Sequence, residues 1–202
     1  MNALQSQKRP LSVPSPSFID ALHCDGPAAD RAEKMGLYGW LIGAWEMDVL
    51  AHDESGATHK STGEIHFGWV LEGRAIQDVW ITPPRGRRAG GAEQPVTGNF
   101  YGTTLRIYDP GQDPQGSGVW HIFWLDPVRQ SYTRQIGRAD GADILQLTVG
   151  ETPQRRWRFT EITPDSFHWI ADIAMPNSAE NFAAEKPEWR LQVEFFARRI
   201  AA

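Results

Sequence analysis

Gly43-Ala44-Trp45 opens the first of many β-like segments, directly after a short helical lead-in, and its reading decides the fold. Upstream, Ser17 stands where a helix N-cap is wanted, ahead of Phe18 to His23. A second helix is predicted from about Ala28 to Tyr38, placing Met35, Leu37 and Tyr38 against one end of whatever follows. Beyond Gly39 the periodicity changes from helical to alternating. Runs of β-branched and aromatic residues recur from Trp40 on, separated by clusters of Gly, Pro, Asp and Asn. Ten strands are predicted, at about 43–52, 59–71, 74–82, 98–108, 117–125, 129–138, 142–149, 155–162, 165–174 and 188–199.

Turn chemistry joins these strands in order. Asp53-Glu54-Ser55-Gly56, Leu71-Glu72-Gly73-Arg74, Asp109-Pro110-Gly111 and Ala139-Asp140-Gly141 are tight-turn signals, so the strands form an antiparallel meander. Two connections break the rhythm, Pro83 to Val96 and Met175 to Pro187, and are candidate gates. Period-two apolar faces (Ile65, Phe67, Trp69 and Leu71; Trp157 and Phe159; Phe167, Trp169, Ala171 and Ile173; Trp189, Leu191, Val193 and Phe195) require burial on one side of the sheet. A sheet of about ten such strands closes or splits into two layers, and closure removes its exposed edges. The expectation is an all-β fold: a single closed antiparallel up-and-down barrel of about ten strands with short N-terminal helices at one end. Residues 1–16 are read as a disordered or draped tail, 17–39 as the helical lead-in and 40–202 as the barrel domain.

A chain of 202 residues is long enough for one domain with a sizeable core, and nine Trp with nine Phe must be buried in it. The net charge of −5 argues against a nucleic-acid partner, which needs a clustered positive surface. The tight basic knot, Arg85, Arg87 and Arg88, sits in a Pro/Gly stretch that reads as a solvated loop. Cys24 is alone and forms no intrachain disulfide; no secretory h-region or membrane-length apolar run is present, so the expected address is the cytoplasm, with no membrane span. No Walker or Rossmann pattern occurs, and Glu64 with His66 lacks a third metal ligand, so neither cofactor nor metal is expected. His52 and His59 flank the first hairpin turn and are placed to meet across it.

The middle strands carry the polar candidates. One side of 74–82 holds Arg74, Ile76, Asp78 and Trp80 and the other Ala75, Gln77, Val79 and Ile81; strand 117–125 opposes Val119, His121 and Phe123 to Trp120, Ile122 and Trp124. Register decides which face points inward, and both choices stand at this stage. With the mixed faces inward, the barrel encloses a cavity lined by aromatics and a few fixed polar groups.

Gly43-Ala44-Trp45 on the first strand, with Arg198 or Arg199 on the last, resembles the lipocalin and wider calycin pattern. That resemblance implies a Trp plugging one barrel end and an Arg packed across it. The run from Leu41-Ile42-Gly43-Ala44-Trp45 through Val70-Leu71-Glu72-Gly73-Arg74 to Tyr108-Asp109-Pro110 and the Trp120/Trp124 strand is similar to the uncharacterised bacterial domains grouped as DUF1579.

Three functions are compatible with such a container. The first is binding of a small hydrophobic or aromatic ligand with a polar or acidic group, using Trp80, Phe123 and Tyr132 for contact and Arg74, Arg106, Arg134 and His121 for the polar end. The second is a cofactor-free isomerase, cyclase or lyase using His121 with Asp78 or Glu161 as acid and base. The third is a structural or dimerisation domain whose Trp40 or Phe196 forms a homodimer interface.

Overall fold

The computed structural model describes residues 17–88, 99–111, 118–175 and 187–201. The expected tail at 1–16 and most of both candidate gates, 89–96 and 176–186, lie outside the described residues.

Helix α1 (Phe18–Leu22) starts where the sequence places it: Ser17 Oγ accepts from the Asp20 amide, and the Asp20 carboxylate accepts in return from the Ser17 amide, a reciprocal capping box. A two-residue strand β1 (His23–Cys24) follows, and then helix α2 is confined to Gly36–Gly39. The longer helix expected over 28–38 does not form. Residues 29–35 make turns instead, anchored by the Ala28 amide donating to Gly73 O at 3.0 Å. A segment this short does not propagate a helix alone.

The barrel comprises β2 (Gly43–His52), β3 (Thr58–Val70), β4 (Ala75–Thr82), β5 (Phe100–Asp109), β6 (Val119–Asp126), β7 (Ser131–Asp140), β8 (Asp143–Thr148), β9 (Arg155–Thr160), β10 (Ser166–Ala174) and β11 (Trp189–Arg199). Each pairs antiparallel with its sequence neighbour, and β11 returns to β2 with Arg199 opposite Trp45, so ten strands close the ring. β1 adds an eleventh strand on the far end of β3, pairing His23 with Val70 and Cys24 with Trp69. An extra residue in β11, Gln192, shifts the register to β10 between Ala171 and Asp172, a bulge at the barrel rim.

The first hairpin is held by Asp53, whose Oδ1 accepts from the amides of Ser55 and Ala57 at 2.9 and 3.0 Å. His52 and His59 do not meet across it. His59 contacts Asp53 at 2.9 Å, whereas His52 turns to Thr58 and, across the strand pair, to Glu194. The basic knot is largely exposed, as expected of a solvated loop, but it forms a 3-10 turn at Arg85–Arg87 held to the wall. Arg85 donates from its backbone and Nε to Glu64 at 2.7 and 2.9 Å, and Arg88 donates to the carbonyls of Thr82 and Phe100. The Arg85 guanidinium holds the Glu64 carboxyl down at about 2.

Candidate functional site

The two barrel ends differ in kind. At one, Trp45 is fully buried, donates from Nε1 to Leu41 O at 2.7 Å and meets Phe167 edge-on at 4.9 Å between centroids. Arg199 from the last strand lies 4.1 Å over the Trp45 ring and donates to the carbonyls of Ile42, Trp40 and Pro164 at 2.8, 2.6 and 2.8 Å. Gly43 is needed here. Its φ of 124° is left-handed territory, and a Cβ would come within 3.0 Å of Arg199 Nη1. With Met35, Tyr38 and Leu41 from the lead-in, these groups make a solid plug.

Tyr38 reaches furthest inward, packing edge-on against Trp120 and accepting from Gln146 Nε2 at 2.9 Å. Gly137 leaves its room, since a Cβ there would fall 2.3 Å from the phenol oxygen. Burial pushes the Tyr38 phenol up to about 12. Because the folded value lies above the unfolded one, stability is intact below about pH 10 and falls between about pH 10 and 12, as the unfolded chain ionises first. Roughly 2–3 kcal/mol should be lost across that window. Urea unfolding at pH 8 and pH 11 should show about half of this loss, ~1.4 kcal/mol, as an excess in the native protein over Tyr38→Phe; equal losses in both would remove the assignment.

In the middle of the barrel, Asp78 on β4 and Arg106 on β5 form a fully buried ion pair. Strand register explains the meeting: Asp78 pairs with Thr104 and Arg106 with Ile76, so the two are diagonal neighbours on one face, within reach of a long side chain. Asp78 Oδ1 also accepts from the Thr104 amide at 2.7 Å, and the guanidinium lies 5.3 to 5.9 Å from the rings of Tyr38, Phe67 and Phe159. The pair is neutral as a unit.

Beyond the ion pair, toward the other end, the interior is not filled. A cavity of about 330 Å³ is walled by Trp80, Phe100, Trp124, Trp157, Trp169 and Phe195, with Thr104 and Arg106 on its inner side. It reaches the rim at His52, Arg129, Ser131, Arg155 and Gln192. Aromatic walls, a few polar groups and a volume at the lower end of the usual range are the properties of a small-molecule pocket. Among the described residues, no group of three His, Cys, Asp or Glu side chains is arranged to hold a metal ion.

Trp80 and Arg106 are thus on the cavity, and Asp78 lies behind Arg106. The other sequence candidates are elsewhere. Arg74 precedes β4 and turns outward to Asp30 at 2.9 Å. On β6 and β7 the inward residues are Trp120, Ile122 and Trp124 and Thr133, Gln135 and Gly137, which puts His121, Phe123, Tyr132 and Arg134 on the outer wall. Tyr132 is 79% exposed, and His121 contacts Asp109 at 3.2 Å and Arg134 at 3.3 Å. Glu161 sits in the turn after β9 with a largely exposed side chain, so His121, Asp78 and Glu161 occupy three separate places. Trp40 is taken into the plug beside Trp45, and Phe196 stacks on His168.

Sequence reading passed over Trp124, Trp157, Arg129 and Arg155 as cavity residues. Arg155 had a signal, since it shares the period-two face of Trp157 and Phe159; Arg129 lies in a turn and had none.

No family profile matches the chain, and no curated protein matches it in sequence. Among solved structures the fold is similar to Rv2717c from M. tuberculosis, with a TM-score of 0.50 and 12% identity over 83% of this chain and 97% of that one. It also aligns with the S-type phycobiliprotein lyase CPES from Guillardia theta at a TM-score of 0.48 and 11% identity, over 84% and 94% of the two chains. The likeness to Rv2717c speaks for a shared β-barrel fold and not for a ligand. Among the described residues no helix is long and apolar enough to cross a membrane.

Proposed function

We propose that this barrel binds a small hydrophobic or aromatic molecule bearing a polar or acidic group, with its apolar body seated between Trp80, Trp124, Trp157 and Trp169. The observation that carries the reading is the aromatic cavity itself, plugged at one end by Trp45 and reaching the rim at the other. A barrel with no such role would be expected to fill this volume with side chains, as interiors are otherwise close-packed. The acid–base alternative lacks a shared point at which His121 and either carboxylate could act on one substrate. Kinship with the DUF1579 domains, resting on the short motifs at Gly43–Trp45 and Val70–Arg74, belongs to the same proposal, as does a cytoplasmic address.

Titration with the neutral dye N-phenyl-1-naphthylamine should quench the tryptophan emission saturably. Ala171 lines the cavity and is 3% exposed, so Ala171→Phe would place a ring in the ligand's volume and should weaken uptake about tenfold or more. Tyr132→Ala, on the outer wall, should leave it unchanged. Absence of saturable quenching, or equal binding by Ala171→Phe, would remove the proposal.

A further inference from the structure

The three arginines on the cavity are not equivalent. Arg106 is spent on Asp78, its charge compensated in place. Arg155, inward on β9, has Glu151 at 4.0 Å and no hydrogen bond to it; Arg129, in the β6–β7 turn, has no carboxylate within ion-pair distance among the described residues. Several arginines elsewhere are paired, Arg85 with Glu64, Arg156 and Arg158 with Asp172, and Arg198 with Glu46 and Asp48, whereas Arg134 and Arg138, also without a carboxylate among the described residues, lie on the outer wall of β7 and face no cavity.

The rim carboxylates have other duties. Glu151 accepts from Thr133, and Asp126 Oδ1 caps the turn by accepting from the amides of Val128 and Arg129 at 2.9 and 3.2 Å. His52, also at the rim, is engaged by Glu194 and Thr58. The rim therefore offers two guanidinium forks whose N–H donors are unspent among the described residues, directly outside an aromatic chamber whose wall is charge-neutral.

From this we infer that Arg129 and Arg155 form an anion clamp at the mouth, so that the ligand is an aromatic acid whose ring enters first and whose carboxylate, sulfonate or phosphate stays at the rim. The inference rests on the binding reading above and adds to it the charge and the orientation of the ligand. Guanidinium suits this task, since its planar fork matches an oxyanion with two parallel N–H donors and keeps its charge at any working pH. Leaving the anion at the rim also spares it the desolvation that burial beside Asp78 would impose.

Two dyes that differ by one sulfonate separate the possibilities. 8-Anilinonaphthalene-1-sulfonate carries the anion; N-phenyl-1-naphthylamine has the same aromatic body without it. The double variant Arg129→Gln/Arg155→Gln is expected to bind the sulfonate about 10- to 100-fold more weakly, one hydrogen bond of ordinary net strength per solvated arginine, and the ratio of sulfonate to neutral-dye affinity should fall by about tenfold or more. On the unmutated protein, raising salt from about 0.05 to 0.5 M should weaken the sulfonate alone, which gives an independent answer should the variant fail to fold. If the native barrel binds the neutral dye but the sulfonate is insensitive to both the variant and salt, the clamp is overturned and the binding reading survives. If the native barrel takes up neither dye, both fall.

Discussion

Asp78→Ala is expected to destabilise the barrel by about 3–5 kcal/mol, because it leaves the Arg106 guanidinium buried without its counter-charge. Arg106 is 1% exposed, its Nε has no partner among the described residues, and the surrounding rings of Tyr38, Phe67 and Phe159 offer only their faces. Cation–π contact at a desolvated site is worth about 2 kcal/mol, too little to replace a carboxylate. Asp78 loses less obviously but no less directly: it also anchors the β5 backbone through the Thr104 amide. The double variant Asp78→Leu/Arg106→Leu should be more stable than Asp78→Ala, since apolar replacement of both partners removes the desolvation penalty together with the attraction. Urea unfolding midpoints for Asp78→Leu, Arg106→Leu and the double variant, with Asp78→Ala beside them, test this. A double variant as unstable as the sum of the singles would show that the pair is not coupled.

Trp45→Ala should cost a similar amount, about 3–5 kcal/mol, by emptying the centre of the plug. The indole fills the space between Phe167 and Trp40 at the point where β11 closes on β2. Its loss also strips Arg199 of the ring it covers, although that guanidinium keeps its three carbonyl acceptors. Trp45→Phe retains most of the volume and should cost less than half as much. The effect is expected on stability and not on the selectivity between the two dyes, because the plug and the rim lie at opposite ends of the strands. A Trp45→Ala protein with native stability would mean that the lead-in repacks into the gap.

How far these features were legible depended on the range of the interaction behind them. Asp53 in its tight turn, Ser17 with Asp20 at the α1 start and the period-two faces of β3, β9 and β10 are settled by residues within a few positions of one another, and the ten strands fall within a few residues of where the sequence places them. The Trp45–Arg199 contact was reachable by resemblance, since it joins the first and last strands of any barrel of this type. β6 was ambiguous for a physical reason: His121, Phe123 and Leu125 on one face are nearly as apolar as Trp120, Ile122 and Trp124 on the other, so alternation alone names two faces and no inside. The helix expected over 28–38 gives way to successive turns, Arg31 to Ala28 O, Lys34 to Arg31 O and Met35 to Ala32 O, and the Ala28–Gly73 contact that ties this segment to the barrel is one no local pattern announces.

By itself, then, the amino-acid sequence determined the all-β barrel and its ten strands, because alternation, turn chemistry and capping act between neighbours in the chain, while the Trp45 plug came only through the resemblance. Only the tertiary structure decided that Trp120, Ile122 and Trp124 face inward, that Asp78 neutralises Arg106, and that Arg129 and Arg155 stand at the mouth of an aromatic cavity. Those facts depend on ring closure, which sets one shear for all ten strands at once and thereby chooses among registers that each strand alone leaves equivalent.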